Sequence, residues 1–322
     1  MLSAYLPAAH GLERQEVHGE LPAGALWFDL LQPSAAEEHA IEQALRIDVP
    51  TPEEMRAIET SNRLYEEEGA LYLTATVLFR ADTDRPETTQ VTFILTPGAL
   101  VTSRYNDLRS FKDFSAYAAT HATACATPLQ LLVGLLNAIV NRLADGLERV
   151  GADIDATSLQ VFPRGRSART RGRNYQGELQ QIGASGDVVS RARESLVSLS
   201  RLLAFLQESD GARITPEARA SLRTVTRDVT ALSDHATFLV GKAQFLLDAT
   251  LGLVTIDQNN ILKIFSLLAV LLLPPSLIAG FFGMNFAYVP WLHAPWGVWA
   301  AIALMLATGL APFFYFKRKG WL

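Results

Sequence analysis

Residues 264–316 read IFSLLAVLLLPPSLIAGFFGMNFAYVPWLHAPWGVWAAIALMLATGLAPFFYF, 53 consecutive positions without Asp, Glu, Lys or Arg. A helix crosses a bilayer core with about 20 apolar residues, and this stretch divides into two such lengths around a polar, proline-containing break. Ile261 to Phe282 makes the first span and Trp296 to Phe316 the second. Between them, residues 283–295 hold Gly283-Met284-Asn285, three aromatics and two prolines but no Lys or Arg, which suits a short interfacial loop. Lys317-Arg318-Lys319 follow the second span, and Lys242 and Lys263 lie before or at the start of the first. Positive flanks stay in the cytoplasm. Two spans return the chain to its starting side, so the part before residue 261 is expected in the cytoplasm and only the loop outside.

Around this stretch the composition is mixed: of 322 residues, 49% are hydrophobic and 19% charged. That balance indicates a soluble part joined to a membrane part. Lys and Arg number 28 against 33 Asp and Glu, a net charge of −5, which argues against a nucleic-acid partner. The single Cys125 excludes an internal disulfide and a Cys-rich metal cage, and the start of the chain lacks a basic segment followed by an apolar run, as a cut secretory signal would need. His10, His18, His39, His121, His235 and His293 are scattered at no ligand spacing. No nucleophile, base, metal cluster or P-loop is visible, so neither an enzyme nor an organic cofactor is expected.

Ala25 to Leu31 is a short apolar run, and Pro33-Ser34 followed by Glu37 and Glu38 reads as a helix start. Leu71 to Arg80 and Val91 to Leu95 are aromatic and β-branched, and Pro97-Gly98 turns the chain into Ala99 to Thr102; these read as strand, strand, turn, strand. With interleaved helices at Pro33 to Ile47 and Thr51 to Thr60, residues 1–125 form an α/β domain. Residues 126–215 read as a helical hairpin, helical from Pro128 to Gln160 and again from about Gln180 to Ser209. Its tip carries Arg164, Arg166, Arg169, Arg171 and Arg173, five arginines in ten residues. A solvated tip and a contact with anionic lipid headgroups both remain open; a nucleic-acid role ranks third because no aromatics are interleaved.

Thr215-Pro216-Glu217 is a helix start with a capping hydroxyl, Pro in the first turn and acid at the positive end of the dipole. Beyond it only the single glycines Gly241 and Gly252 weaken the helix before Pro274-Pro275. Leu222, Val225, Val229, Leu232, Leu239 and Leu246 recur at three-, four- and seven-residue steps, an apolar stripe that must find partners. Residues 216–260 are therefore the cytosolic part of a stalk that continues into the span 261–282. At about 1.5 Å per residue, Pro216 to Phe282 would extend about 100 Å. Such a stalk favours an oligomer over a lone hairpin anchor.

Two helices per chain cannot enclose a path, so transport would require several chains around an axis. On the first span Asn259, Leu262, Phe265 or Ser266, Ala269, Leu273, Ser276 and Gly280 fall near one side. The same spacing suits a packing seam, and both readings stay open. Pro274 and Pro275 lack an amide proton, so the carbonyls of Val270 and Leu271 lose their helical donors and must face protein or a wet pore. An uncharged path lined by Asn, Ser and carbonyl oxygens suits an ion that keeps its water, as Mg²⁺ does. Zn²⁺ prefers Cys and His, and His293 is the only His in the membrane region.

Several segments together, spread over nearly the full length, resemble the CorA magnesium-transporter family. They are Gly283-Met284-Asn285 between two C-terminal spans, the ending Tyr315 to Leu322 (YFKRKGWL), and Asn259 to Ser266 (NNILKIFS) leading into Leu273-Pro-Pro-Ser276, together with Met1 to Tyr5 and Trp27 to Leu30. The resemblance implies a funnel-shaped homopentamer of the bacterial inner membrane, both termini cytoplasmic, with an α/β cytosolic domain, a long stalk helix and two C-terminal transmembrane helices. It implies uptake of Mg²⁺, also Co²⁺ and Ni²⁺, down the electrochemical gradient, with Mg²⁺ as both cargo and regulator. Its selectivity filter falls on Gly283, Met284 and Asn285, with Asn285 meeting the metal. Its pore and gate positions fall on Asn259, Leu262, Phe265, Leu273 and Ser276, and its acidic ring at the cytosolic pore end on Asp248. A regulatory site would use Asp228 or Asp234 against Glu66 to Glu68 or Asp82 of a neighbour. The partners implied are further copies of the chain, membrane lipids and divalent cations.

Two departures stand out. The family's outer loop usually carries acidic residues soon after Gly-Met-Asn, whereas here Phe286-Ala-Tyr-Val-Pro-Trp-Leu292 follows, so attraction of cations by loop carboxylates should be missing or weak. The family's hairpin tip is commonly acidic, and this one is arginine-rich. Both features favour an alternative, the zinc-transporting ZntB branch, which Met284 and the match through both spans oppose. A membrane-anchored cytosolic binding domain is the remaining reading.

Overall fold

The computed structural model describes residues 1–57, 59–81, 83, 86–163, 174–209, 216–284 and 294–320. Asp82, the segment Arg164 to Arg173, Asn285 and the loop Phe286 to His293 lie outside the described residues. The chain divides into two units, Met1–Asp248 and Ala249–Leu322.

The first unit is built on a seven-stranded sheet of β1 (Leu2–Pro7), β2 (Leu12–Glu16), β3 (Trp27–Leu31), β4 (Leu64–Glu67), β5 (Ala70–Phe79), β6 (Glu87–Leu95) and β7 (Leu100–Arg104). Its order is β2-β1-β3-β7-β6-β5-β4, and β3–β7 is the parallel pair among antiparallel neighbours. The edges are the short, charged strands LERQE and LYEE, which discourages pairing with another sheet. Side chains alternate between two cores. Trp27, Leu73, Phe93 and Leu100 face one side, and Phe28, Tyr72, Ile94 and Val101 the other.

Helix α1 (Ala35–Leu45) covers the second side with Ile41, and starts at Ser34, whose hydroxyl accepts from the Glu37 amide while the Glu37 carboxylate accepts from the Ser34 amide. The expected helix Thr51 to Thr60 is a single turn, α2 (Pro52–Met55). Its capping box is present, but Met55 is its one buried side chain, so no apolar stripe carries the helix further. The other face is covered by α3 (Arg109–Ala118), α4 (Pro128–Val161) and α5 (Tyr175–Glu208). Gly134 of α4 admits the Phe114 ring of α3, which a Cβ there would meet at 2.4 Å.

Helix α6 (Pro216–Phe282) contributes to both units. In the first, Leu222, Val225, Val229, Leu239 and Leu246 are buried in the same core as the sheet and the α4–α5 hairpin, with Leu232 packed against it. The apolar stripe is thus satisfied largely within the chain, against α4 and α5. The second unit holds the rest of α6 and α7 (Gly297–Arg318).

Candidate functional site

In the second unit the apolar residues point outward. Leu262, Phe265, Leu273 and Leu277 are 62%, 66%, 57% and 66% exposed, whereas Leu267 is buried. No water-soluble unit leaves such a surface bare. Both α6 and α7 are long and apolar enough to cross a membrane.

The expected path residues share one side of α6. At about 100° per residue, and counting from Asn259, Leu262 stands near 300°, Phe265 near 240°, Leu273 near 320° and Ser276 near 260°. The arc is about 120° wide, and all five side chains are exposed. Its chemistry is one amide, one hydroxyl and three apolar groups. Ser276 Oγ donates to the Leu272 carbonyl at 2.8 Å, which satisfies its proton and leaves its lone pairs as acceptors, the polarity that a cation's water shell meets. Near its cytosolic end this face borders a groove toward α7, where Asn259, Leu262 and Ser266 stand with Phe316.

Gly283 and Met284 end α6. The Gly283 amide donates to the Ala279 carbonyl at 3.0 Å and the Met284 amide to the Phe281 carbonyl at 3.3 Å, so the helix tightens as it stops. A Cβ on Gly283 would crowd the Ala279 oxygen at 3.2 Å. Asn285, the residue with the most specific expected role, lies outside the described residues.

The acidic candidates belong to the first unit. Asp248 is exposed and accepts from Gln244 Nε2 at 3.2 Å. Asp228 and Asp234 are exposed on α6; six residues apart, they lie about 120° apart around the helix, so one partner surface cannot face both equally. Glu66 and Glu67 end β4, and Glu68 with Gly69 makes the left-handed turn into β5 at φ 47° and 80°. Among the described residues no three His, Cys, Asp or Glu gather to hold a metal.

One flanking charge has a partner of its own. Lys242, read above as a flank of the first span, is an ion-pair partner of Asp155 on α4 and stands over the Phe238 ring at 6.0 Å. Phe162 stacks on Phe245 nearby, centroids 6.1 Å apart. Lys242 thus pins the hairpin to α6 inside the first unit, while Lys263 and the run after Phe316 stand nearest the spans. A contact spanning 87 residues leaves no periodic trace in sequence. Gly309 of α7 was also missed; it lies beside Pro275.

A large α/β unit followed by two helices that each hold a long uncharged apolar stretch defines a two-span integral membrane protein. Residues 22–318 match the family model described as "CorA-like Mg2+ transporter protein". Over 323 aligned positions the chain is 33% identical to the magnesium transport protein CorA of Yersinia pseudotuberculosis serotype I, covering 100% of both. Its fold is similar to the complete structure of the CorA magnesium transporter from Methanocaldococcus jannaschii, with a TM-score of 0.80 at 19% identity over 100% of this chain and 99% of that one. It is less similar to the ZntB cytoplasmic domain from Vibrio parahaemolyticus, with a TM-score of 0.52 at 11% identity over 77% of this chain and 95% of that one. The chain belongs to the CorA family. It is accordingly a membrane transport protein rather than an enzyme, set in the bacterial inner membrane with its N-terminal domain in the cytoplasm.

Proposed function

We propose that five copies of this chain form a channel that admits Mg²⁺, and with it Co²⁺ and Ni²⁺, down the electrochemical gradient. The observation that carries the reading is the uncharged arc of α6, from Asn259 to Ser276, ending in Gly283-Met284-Asn285. Relatives identical at about a third of positions are named magnesium transport proteins. In this reading Gly283, Met284 and Asn285 form the outer filter and take the ion with its water, because Mg²⁺ dehydrates reluctantly. Leu262 and Phe265 form the constriction that closes by dewetting, Leu273 and Ser276 line the path above it, and Asp248 concentrates cations at the cytosolic end.

The membrane potential is worth about 4.6 kcal/mol per 100 mV for a divalent ion, twice the ~2.3 per unit charge. At about 1.4 kcal/mol per tenfold this drives roughly thousandfold accumulation, so uptake needs no ATP but does need a gate. Cytosolic Mg²⁺ bridging Asp228 or Asp234 of one copy and Glu66 to Glu68, or Asp82, of the next would hold the closed state, and its loss would release the stalks.

The zinc-transporting branch is the second reading, favoured by the absence of carboxylates from residues 286–292. Flux into proteoliposomes, with Mg²⁺ and Zn²⁺ offered separately and repeated with Asn285→Ala, decides. Mg²⁺ flux lost in the variant supports the channel and its filter. Zn²⁺ flux without Mg²⁺ flux transfers the chain to the second reading and makes His293 the next residue to replace.

A further inference from the structure

Helix α6 carries Pro274 and Pro275 within its length where α7 touches it. Pro275 has no N–H, so the Leu271 carbonyl lacks its helical donor, and in a bilayer such an oxygen must be covered by protein or water. Gly309 of α7 lies against this spot: a Cβ on it would stand 3.4 Å from Pro275 Cγ and 3.7 Å from the Leu271 oxygen. A methyl there makes ordinary van der Waals contact, and each further carbon adds bulk beside Pro275. Helix α7 is itself weakened within one turn. Pro312 removes the donor for the Thr308 carbonyl, while Thr308 Oγ1 turns back to the Leu304 and Met305 oxygens at 2.9 and 3.1 Å.

The contact is on the back of the path helix. Counted from Asn259 as before, Leu271 stands near 120° and Pro275 near 160°, opposite an arc centred near 300°. The two prolines fall between Leu273 and Ser276, so any tilt at them moves Ser276, Gly280 and Gly283 relative to Leu262 and Phe265. We propose that Gly309 is a positioning residue for ion passage: its missing side chain lets α7 seat behind Pro274-Pro275, where α6 lacks two backbone donors, and thereby sets the course of α6 there. The inference rests on the reading of α6 as the path helix.

The test is a volume series at Gly309 in the full-length protein reconstituted in proteoliposomes, with Mg²⁺ flux, melting temperature and oligomer size measured on each sample. Gly309→Ala keeps flux within about twofold of wild type, since one methyl fits. Gly309→Val and Gly309→Leu lower it by about tenfold or more with assembly and melting temperature retained, the scale of a small misplacement at a distance. Adding Pro275→Ala to either removes the ring that the new side chain meets, leaves Pro274 in α6 and restores flux, whereas a defect arising away from the Gly309–Pro275 contact would remain. Wild-type flux in assembled Gly309→Leu overturns the proposal, as does a loss that Pro275→Ala leaves unchanged. Should Gly309→Leu not assemble, Gly309→Val decides, and flux that merely follows melting temperature across the series overturns it too. Absence of Mg²⁺ flux from wild type in the same vesicles is a separate failure, that of the path reading itself.

Discussion

Arg104 and Asp29 meet diagonally across the parallel β3–β7 pair as a two-point ion pair, Nε to Oδ1 at 3.1 Å and Nη2 to Oδ2 at 2.8 Å, each side chain 5% exposed. Thr102 Oγ1 donates to the same Oδ1 at 2.7 Å and accepts from Trp27 Nε1 at 3.0 Å, and the guanidinium lies 4.5 Å from the Phe111 centroid. The network joins both central strands to the helical layer. Removing one partner strands a buried charge, at a cost of about 3–5 kcal/mol. Arg104→Ala should lower the melting temperature of the purified protein by roughly ten degrees, and Arg104→Lys should recover little because it cannot make the two-point contact. A shift of about a degree or two for Arg104→Ala would show the pair to be dispensable.

The start of α1 is set by Ser34 and Glu37. Partial burial pushes the Glu37 carboxyl up, but the Ser34 amide and hydroxyl and the N-terminal ammonium at 3.0 Å outweigh it, leaving the group below its ordinary value of 4.5. A lowered value means stability that is present above the unfolded value and lost as pH falls through the folded one. Ser34→Ala should cost about 1 kcal/mol near neutral pH. The melting-temperature gap between wild type and Glu37→Gln should narrow below pH 4.5, and a gap independent of pH would contradict this.

Tyr65 and Tyr72 stack at 4.5 Å with rings 5° from parallel. Burial, then the neighbouring Tyr72, Glu67, Asp48 and Glu54, push the Tyr65 phenol up to about 12 from 10.0. Because the folded value is the higher, the contribution is complete below 10.0 and disappears as pH rises toward about 12. Ultraviolet titration of tyrosinate should show a late phase, shared with Tyr105, whose amplitude Tyr65→Phe lowers by one tyrosine. An unchanged late phase in that variant would reassign it.

Phe265 tests the constriction. Exposed at 66% on the path arc of α6, it would close a narrow pore by excluding water. Phe265→Ser should raise Mg²⁺ flux when cytosolic Mg²⁺ is high, the condition proposed above to close the wild type. Equal flux from both proteins under that condition would remove Phe265 from the gate.

The membrane unit was legible because its signal is one-dimensional: a helix in a bilayer satisfies its own backbone, so a run of uncharged residues of the right length identifies it without knowledge of neighbours. The start of α1 was legible for the same reason, since Ser34 and Glu37 are three residues apart. β2 was not, because in LERQE only Leu12 is buried and the strand exists through its register with β1. Thr51 to Thr60 was read as too long a helix because its cap is local and its termination is not.

The sequence by itself determined the two spans, their orientation, the long α6 helix, the uncharged residues along one side of it and the resemblance that the family comparison bears out. Local spacing and charge suffice for these. Only the tertiary structure decided that the stripe from Leu222 to Leu246 is largely buried within its own chain, that Lys242 binds Asp155, that Arg104 and Asp29 are buried as a pair, and that Gly309 lies behind Pro275. Each is a contact between residues distant in the chain. Its energy depends on shape and desolvation where the segments meet, which no segment alone specifies.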